Sequence, residues 1–304
     1  MQPLTVKILG CGSALPTRRH NPSCQVVEIG GKSYMLDCGE GAQIQMRRMH
    51  ISQQHIRAIF ISHLHGDHCF GLLGLLSSMS LQGRTAPIDI YGPLPLVNIF
   101  QPQIDFFGAG AKFDIRLHQI PHSFSEVIYE DNSISVRSVP LQHRMPCVGY
   151  LIKENAHLPH IRRDMIDFHS IPHYAIMEIK QGAAWQTPDG KIIPHERLVL
   201  PAEPERSYAY ISDTLCNPDI LENIREVNLL YHEATFSDAD AHRAVSVMHS
   251  TASQAAAIAR DANAKRLVLG HFSARYDDEN FLLQEARKIF PNTLLAEEGL
   301  CLNV

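Results

Sequence analysis

The chain has 304 residues, long for one domain but within the range of a single large α/β fold. Lys plus Arg is 27 and Asp plus Glu is 32, a net charge of −5 with His neutral. That excludes a uniformly basic nucleic-acid binder, a hydrophobic share of 45% excludes a disordered chain, and 18 histidines point toward metal or acid–base chemistry.

In chain order, strand-like runs at 4–9 (LTVKIL), 25–29 (QVVEI) and 33–37 (SYMLD) precede a helix over 40–49. A strand over 57–61 (RAIFI) leads to a helix over 68–80, and strands follow at 134–139 and 147–152. Strands at 207–212, 227–231 and 266–270 then alternate with helices over 250–261 and 278–290. Thr251 and Gln254 form a capping box at the start of the helix near 250. This order predicts a mixed α/β sandwich, sheets inside and helices outside, as a single domain over 1–304. The polar, Pro-interrupted stretch 153–196, carrying Lys153, Arg162, Arg163 and Lys180, is expected as an arm inserted within it.

Seven cysteines, odd in number and never spaced C-x-x-C, argue against a disulfide framework and a Cys-based zinc ribbon. MQPLTVKILGCG lacks the pattern of a secretory leader, and no apolar run reaches about 18 residues. A cytoplasmic protein without membrane spans is expected. Gly10-Cys11-Gly12-Ser13 is not a dinucleotide fingerprint, because the third glycine position is Leu15, and reads as a tight turn.

The strongest motif is His63-Leu64-His65-Gly66-Asp67-His68, between an apolar β run and a Gly/Leu helix. Imidazole and carboxylate are the ligands zinc accepts when no thiolate is offered. Two histidines at i and i+2 on an extended segment point the same way, and Gly66 is expected to turn the chain so that Asp67 and His68 face the same site. Four ligand-type residues in six suggest two metals. Further ligands are expected at other strand ends, where His143, Asp213 and His271 stand.

The set LDCGEGAQ (36–43), HLHGDH (63–68), LQHR (141–144), ISDT (211–214), HEATF (232–236), HST (249–251) and GHFSARY (270–276) resembles the metallo-β-lactamase superfamily and, within it, the ribonuclease Z family of tRNA 3′-processing endonucleases. The match spans nearly the whole chain in order; HEATF, HST and HFSARY narrow it beyond the superfamily. The resemblance implies a four-layered αββα fold with two Zn²⁺ per subunit at one edge. By the family pattern, one zinc takes His63, His65 and His143, the other takes Asp67, His68 and His271, and Asp213 bridges. Asp67 is the family's proton acceptor for the attacking water, and Asp37 orients ligands. Glu233 and His249 look like a carboxylate–imidazole pair that delivers a proton to the leaving ribose alkoxide. His232 reads as a packed neighbour.

The resemblance further implies removal of the 3′ trailer from precursor tRNA, action as a homodimer, and a basic loop that contacts RNA. Arg18, Arg19 and Asn21 lie in the matching loop, and Ser273 and Arg275 are expected to touch a phosphate beside His271. Arg47 and Arg48 read as a solvated face. Arg162 and Arg163 fall in the arm that grips tRNA in the family. There this chain departs: Ser170-Ile171-Pro172-His173-Tyr174-Ala175 replaces the family's Gly/Pro-rich stretch. Two alternatives stand beside this reading. A phosphodiesterase for small phosphodiesters has no use for a basic arm. A non-catalytic metal-binding protein is disfavoured because the ligand set and the acid–base pair are intact.

Overall fold

The computed structural model describes residues 3–108 and 110–304. Its strands are β1 (Thr5–Gly10), β2 (Cys24–Ile29), β3 (Lys32–Leu36), β4 (Ile56–Phe60), β5 (Ile88–Pro93), β6 (Ile115–Ile120), β7 (Val127–Glu130), β8 (Ile134–Pro140), β9 (Val148–Glu154), β10 (His160–Ile161), β11 (Trp185–Gln186), β12 (Ile192–Ile193), β13 (Val199–Leu200), β14 (Ser207–Ile211), β15 (Leu229–Glu233), β16 (Leu267–Gly270), β17 (Thr293–Leu295) and β18 (Cys301–Asn303). Two compact units result, Glu154–Glu205 and the rest of the chain.

The larger unit contains two seven-stranded sheets, ordered β18-β1-β2-β3-β4-β5-β6 and β17-β16-β15-β14-β9-β8-β7. Alternation along the strands sorts their side chains between two faces. Val6, Ile8, Val27, Tyr34 and Phe60 join the core between the sheets, while Leu9, Val26, Met35 and Ile59 face a second core. That second core is closed by helices Ala42–Arg48, Leu72–Leu81 and Leu96–Phe107. Helices Ala252–Asp261 and Asn280–Arg287 cover the other sheet at β15 to β17. The expected αββα layering is therefore found.

Buried tyrosine hydroxyls need partners, and three from the second sheet find them on the first. Tyr150 donates to Ile61 O at 2.6 Å, Tyr210 to Asp37 at 2.6 Å, and Tyr208 to Gln25. The two sheets are thus held in register by directional bonds as well as by apolar burial.

The predicted strands and helices all appear, and the capping box of Thr251 and Gln254 is reciprocal. The helix expected over 68–80 is instead two, Gly66–Cys69 and Leu72–Leu81. Between them the Gly71 amide donates to Cys38 O at 2.8 Å, and a Cβ at Gly71 would lie 2.2 Å from Gly39 O. The loop after β3 is packed against this backbone and interrupts the helix. All seven cysteines are free, and no helix among the described residues is long and apolar enough to cross a membrane.

The smaller unit, Glu154–Glu205, overlaps the stretch expected to leave the sandwich. Strands β10 and β13 pair, as do β11 and β12. Helices Arg163–His169, Ile176–Lys180 and His195–Leu198 complete it. Ile171, Ala175, Ile179, Ile193 and Leu198 form its own buried cluster.

Candidate metal centre

Expected ligands, and Asp37 expected to orient them, stand just beyond the C-terminal ends of strands: Asp37 after β3, His63 and His65 after β4, His143 after β8, Asp213 after β14 and His271 after β16. Strands β3 and β4 run parallel, as do β14, β15 and β16, so the two sheets deliver their loops to one edge. Asp67 and His68 lie on the short helix Gly66–Cys69.

These side chains converge in two groups around one carboxylate. In the first, His65 Nδ1 is 2.9 Å from His63 Nε2 and 3.3 Å from His143 Nε2. Asp213 Oδ2 lies 3.6 Å from His63 Nε2 and 3.8 Å from His143 Nε2. In the second, His68 Nε2 and His271 Nε2 are 3.3 Å apart, with Asp67 Oδ2 at 3.6 and 3.5 Å from them. Asp213 Oδ1 is 3.4 Å from His68 Nε2 and 3.2 Å from His271 Nε2. One oxygen of Asp213 thus faces each group.

The far ring nitrogens fix the orientation. His68 Nδ1 donates to Asp37 Oδ2 at 2.7 Å and His143 Nδ1 to Met248 O at 3.0 Å. His271 Nδ1 lies 2.9 Å from Thr235 Oγ1. With Nδ1 engaged outside the centre, Nε2 is the atom each ring turns inward, the arrangement of histidines that ligate metals. Asp213 Oδ1 is buried and accepts no hydrogen bond among the described residues. A buried carboxylate oxygen without a donor is costly, and a cation between these groups removes the cost. The donor set and the orphaned oxygen fit a pair of divalent cations.

Protonation follows burial and neighbours. Burial pushes His63 well below the ordinary imidazole value and lowers His65 and His143, which keeps them neutral and able to ligate. Burial also opposes charge on His68, but Asp213, Asp37 and Asp67 outweigh it and raise its pKa to about 10. Against its own burial, Asp213 is held well below the carboxylate range by His271, His68 and His63.

Asp37 is the main support. It accepts from Ser62 N at 2.6 Å, Ser62 Oγ at 2.8 Å and Tyr210, besides His68. Four non-glycine residues around the centre take left-handed backbone: Ala14 (φ 63°), Asp37 (55°), Met248 (59°) and His271 (59°). Such conformations cluster where geometry serves function. Each of the four contributes to the centre. The Ala14 amide donates to Asp67 Oδ2 at 2.7 Å, the Met248 carbonyl holds His143, and the other two carry site side chains. Gly66 turns the chain as expected, so that Asp67 and His68 both face the centre. It starts a helix with no left-handed φ, and its lack of a side chain makes room for Phe70, whose Cε2 would lie 2.4 Å from a Cβ there.

Glu233, at the end of β15, is fully buried and 3.0 Å from His249 Nδ1 through Oε1. It also accepts from the amides of Thr214 (3.2 Å), Ser250 (2.8 Å) and Thr235 (2.9 Å), and its charge is kept despite burial by His249. Burial opposes protonation of His249, but Glu233 and Asp213 prevail and raise it to about 9. Its Nε2 is 3.9 Å from Asp213 Oδ2, and its ring lines a cavity of about 550 Å³ shared with His65, Asp67, His143 and Asp213. The sequence reading gives no role to Thr235, whose hydroxyl reaches Glu233 (2.8 Å) and His271 (2.9 Å), or to Arg144, which lines the cavity. A hydroxyl inside HEATF carries no pattern of its own. His232 is buried, with Nδ1 bonded to Glu233 O at 2.7 Å, as a packed neighbour.

The residues expected to meet RNA are less uniform. Arg18 is exposed, while Arg19 is bound to Glu279 and to Tyr276 O at 3.1 Å. The Asn21 amide donates to Glu298 at 2.7 Å. Ser273 is half-buried, and Arg275 lies 3.2 Å from Asp240 and 5.1 Å from the centroid of the Phe236 ring. In the smaller unit Arg162 pairs with Asp164 at 2.6 Å and Arg163 is exposed. Arg47 and Arg48 are exposed, as a solvated face requires.

Comparison with known proteins agrees with this geometry. The sequence model of the family described as "Anti-Pycsar protein Apyc1" matches residues 4–101. "Ribonuclease Z" of Parabacteroides distasonis is 51% identical over 304 residues, covering 100% of both chains. "Ribonuclease Z" of Bacteroides fragilis strain YCH46 is 48% identical over 304 residues, again covering 100% of both. Among solved structures, the short form of human tRNase Z matches with a TM-score of 0.72 and 27% identity, covering 99% of each chain. The chain belongs to the ribonuclease Z family, within the metallo-β-lactamase fold.

Proposed function

We infer that the chain is a metal-dependent endoribonuclease that removes the 3′ trailer from precursor tRNA and leaves a 3′-hydroxyl on the tRNA. The observation that carries this reading, beside the family, is the Asp213 carboxylate with one oxygen toward each of two ligand groups. His63, His65 and His143 would hold one cation, Asp67, His68 and His271 the other, and Asp213 both. Three neutral imidazoles and a carboxylate suit zinc, and we propose two Zn²⁺ per subunit. When bound, such ions supply a nucleophile at neutral pH and offset charge on the phosphoryl oxygens.

The chain's own residues do the rest. Asp67, steadied by the Ala14 amide, accepts a proton from the attacking water. His249, held protonated by Glu233, presents Nε2 to the cavity and gives its proton to the leaving alkoxide. Glu233 keeps its charge through three amide donors, so the imidazole stays oriented.

For the substrate, Arg18, Arg19, Asn21, Ser273 and Arg275 position phosphates beside the centre, and Arg162 and Arg163 bind tRNA in the 153–196 arm, which we read as an insertion within one 1–304 domain. Action as a cytoplasmic homodimer completes the proposal, and sedimentation tests the oligomer. The decisive experiment is cleavage of a 3′-extended precursor tRNA with and without chelator. Cleavage at the trailer junction that chelation abolishes is expected. Hydrolysis of a small chromogenic phosphodiester with the precursor untouched would replace this reading by the small-substrate one.

A further inference from the structure

Phe70 lies one helical turn beyond Asp67 and lines the same cavity as His65, Asp67, His143 and Asp213, yet it is 75% exposed. Its neighbours Cys69 and Leu72 are buried, so the helix contributes to the core without it. Burial therefore does not explain a large aromatic ring here. The ring packs instead against Gly66, where any Cβ would collide with its Cε2, Cζ and Cδ2 at 2.4–2.8 Å. The ring lies against the main chain at Gly66 while its other surface stays open. The cavity is also lined by Leu15, 64% exposed, with Pro16, Pro22 and Val247, and by one further carboxylate, Glu40. Apart from histidines, Arg144 is the one cation among the described residues that line the cavity.

A charged floor under apolar, partly aromatic walls does not match a phosphate chain alone, which asks for cations along its length. It matches a nucleotide: the phosphodiester at the floor and the flat apolar face of a base against the wall. Aromatic rings hold unpaired bases in this way, and every base offers such a face. We propose that Phe70 is the stacking platform for an unpaired nucleobase flanking the scissile phosphate, with Leu15, which lines the same cavity, helping to hold the base. This rests on the reading of the chain as an endoribonuclease. It makes Phe70 a substrate-binding residue that tolerates any base identity while requiring that a base be present.

The test uses the full chain and 3′-extended precursor tRNAs carrying one abasic nucleotide immediately 5′ or 3′ of the cleavage site. In the wild type, one of the two abasic substrates is expected to lose roughly 10- to 100-fold in kcat/KM, the range associated with stacking one base. In Phe70→Ala the intact substrate loses a comparable factor, and the abasic change adds less than about twofold. Phe70→Trp keeps the abasic penalty, whereas Phe70→Leu, apolar but not aromatic, loses most of it; these two variants, with bound metal measured, separate stacking from misfolding. An unchanged abasic penalty in Phe70→Ala and Phe70→Leu overturns the proposal, as does a wild type indifferent to both abasic substrates. Failure of the wild type to cleave any precursor tRNA sinks the endoribonuclease reading itself, and the platform falls with it for that separate reason.

Discussion

Among the described residues, two places bring together metal-ligating side chains, and they behave differently. One is the cleft. The other is Cys11, His20 and Glu298, where His20 Nδ1 lies 3.3 Å from Cys11 Sγ and 3.0 Å from Glu298 Oε2. In the second cluster each polar atom already has a hydrogen-bond partner: His20 Nε2 faces Glu279 at 3.3 Å, Glu298 Oε1 takes the Asn21 amide, and Cys11 Sγ faces Ala296 O at 3.6 Å. Burial pushes the Cys11 thiol well up, and although burial works against charge on His20, Glu298 and Glu279 raise its pKa. A protonated thiol is the wrong state for a metal ligand. In the cleft, three histidines are kept neutral and Asp213 Oδ1 has no donor. Residue type and proximity do not distinguish the two. Unspent lone pairs do.

That contrast can be broken or sharpened, from the largest effect to the smallest. Asp67→Ala is expected to lower precursor-tRNA cleavage by about 10²–10⁴-fold while tRNA binding persists, measured by single-turnover kinetics and filter binding. Loss of both together points to misfolding or lost metal. His249→Ala should cost a similar or smaller factor, about 10²-fold, with bound metal unchanged; a drop in metal content would make it a ligand. Thr235→Val, which removes the hydroxyl shared by Glu233 and His271, should cost roughly 10-fold in activity or metal affinity. Metal analysis should show at least one ion fewer per chain in His63→Ala and no change in Cys11→Ala. A loss in Cys11→Ala would erase the contrast.

The smallest expected effect concerns the second cluster alone. His20, facing Glu298, Glu279, Arg19 and Cys11, has a raised folded pKa. Its contribution to stability is fully present below the unfolded value near 6.5 and fades as pH rises through the folded value. Being half-buried, it is worth little, so a fall in Tm of only about 1–3 °C is expected over that rise, and its disappearance in His20→Ala is the check.

Much of the fold and of the candidate site is legible in the residues. HLHGDH carries its own spacing, and His143, Asp213 and His271 stand out because each ends a β-like run. What stays hidden has physical reasons. The sequence reading offers no element between 81 and 133, yet β5, β6, β7 and helix Leu96–Phe107 lie there. That helix buries Leu96, Phe100 and Ile104 at helical spacing, but Pro102 inside it masks the pattern, and β6 and β7 are mostly half-exposed or exposed, so no apolar run announces them. The Met248 carbonyl and Ala14 amide are backbone groups, which side-chain patterns do not report. Arg19 and Arg275 read as free cations, whereas Glu279 and Asp240, distant in sequence, hold them.

The left-handed quartet Ala14, Asp37, Met248 and His271 has a consequence for how this enzyme can change. A non-glycine residue in that region costs about 1–3 kcal/mol, so selection for thermal endurance alone would drift these positions toward glycine. At Ala14 and Met248 the useful group is main chain, and glycine retains it; the rim would gain stability but also freedom to wander. At Asp37 and His271 the useful group is the side chain that faces the centre, and glycine would remove it, so relief is closed off. The cleft therefore divides into positions where durability and turnover compete and positions where only one answer survives.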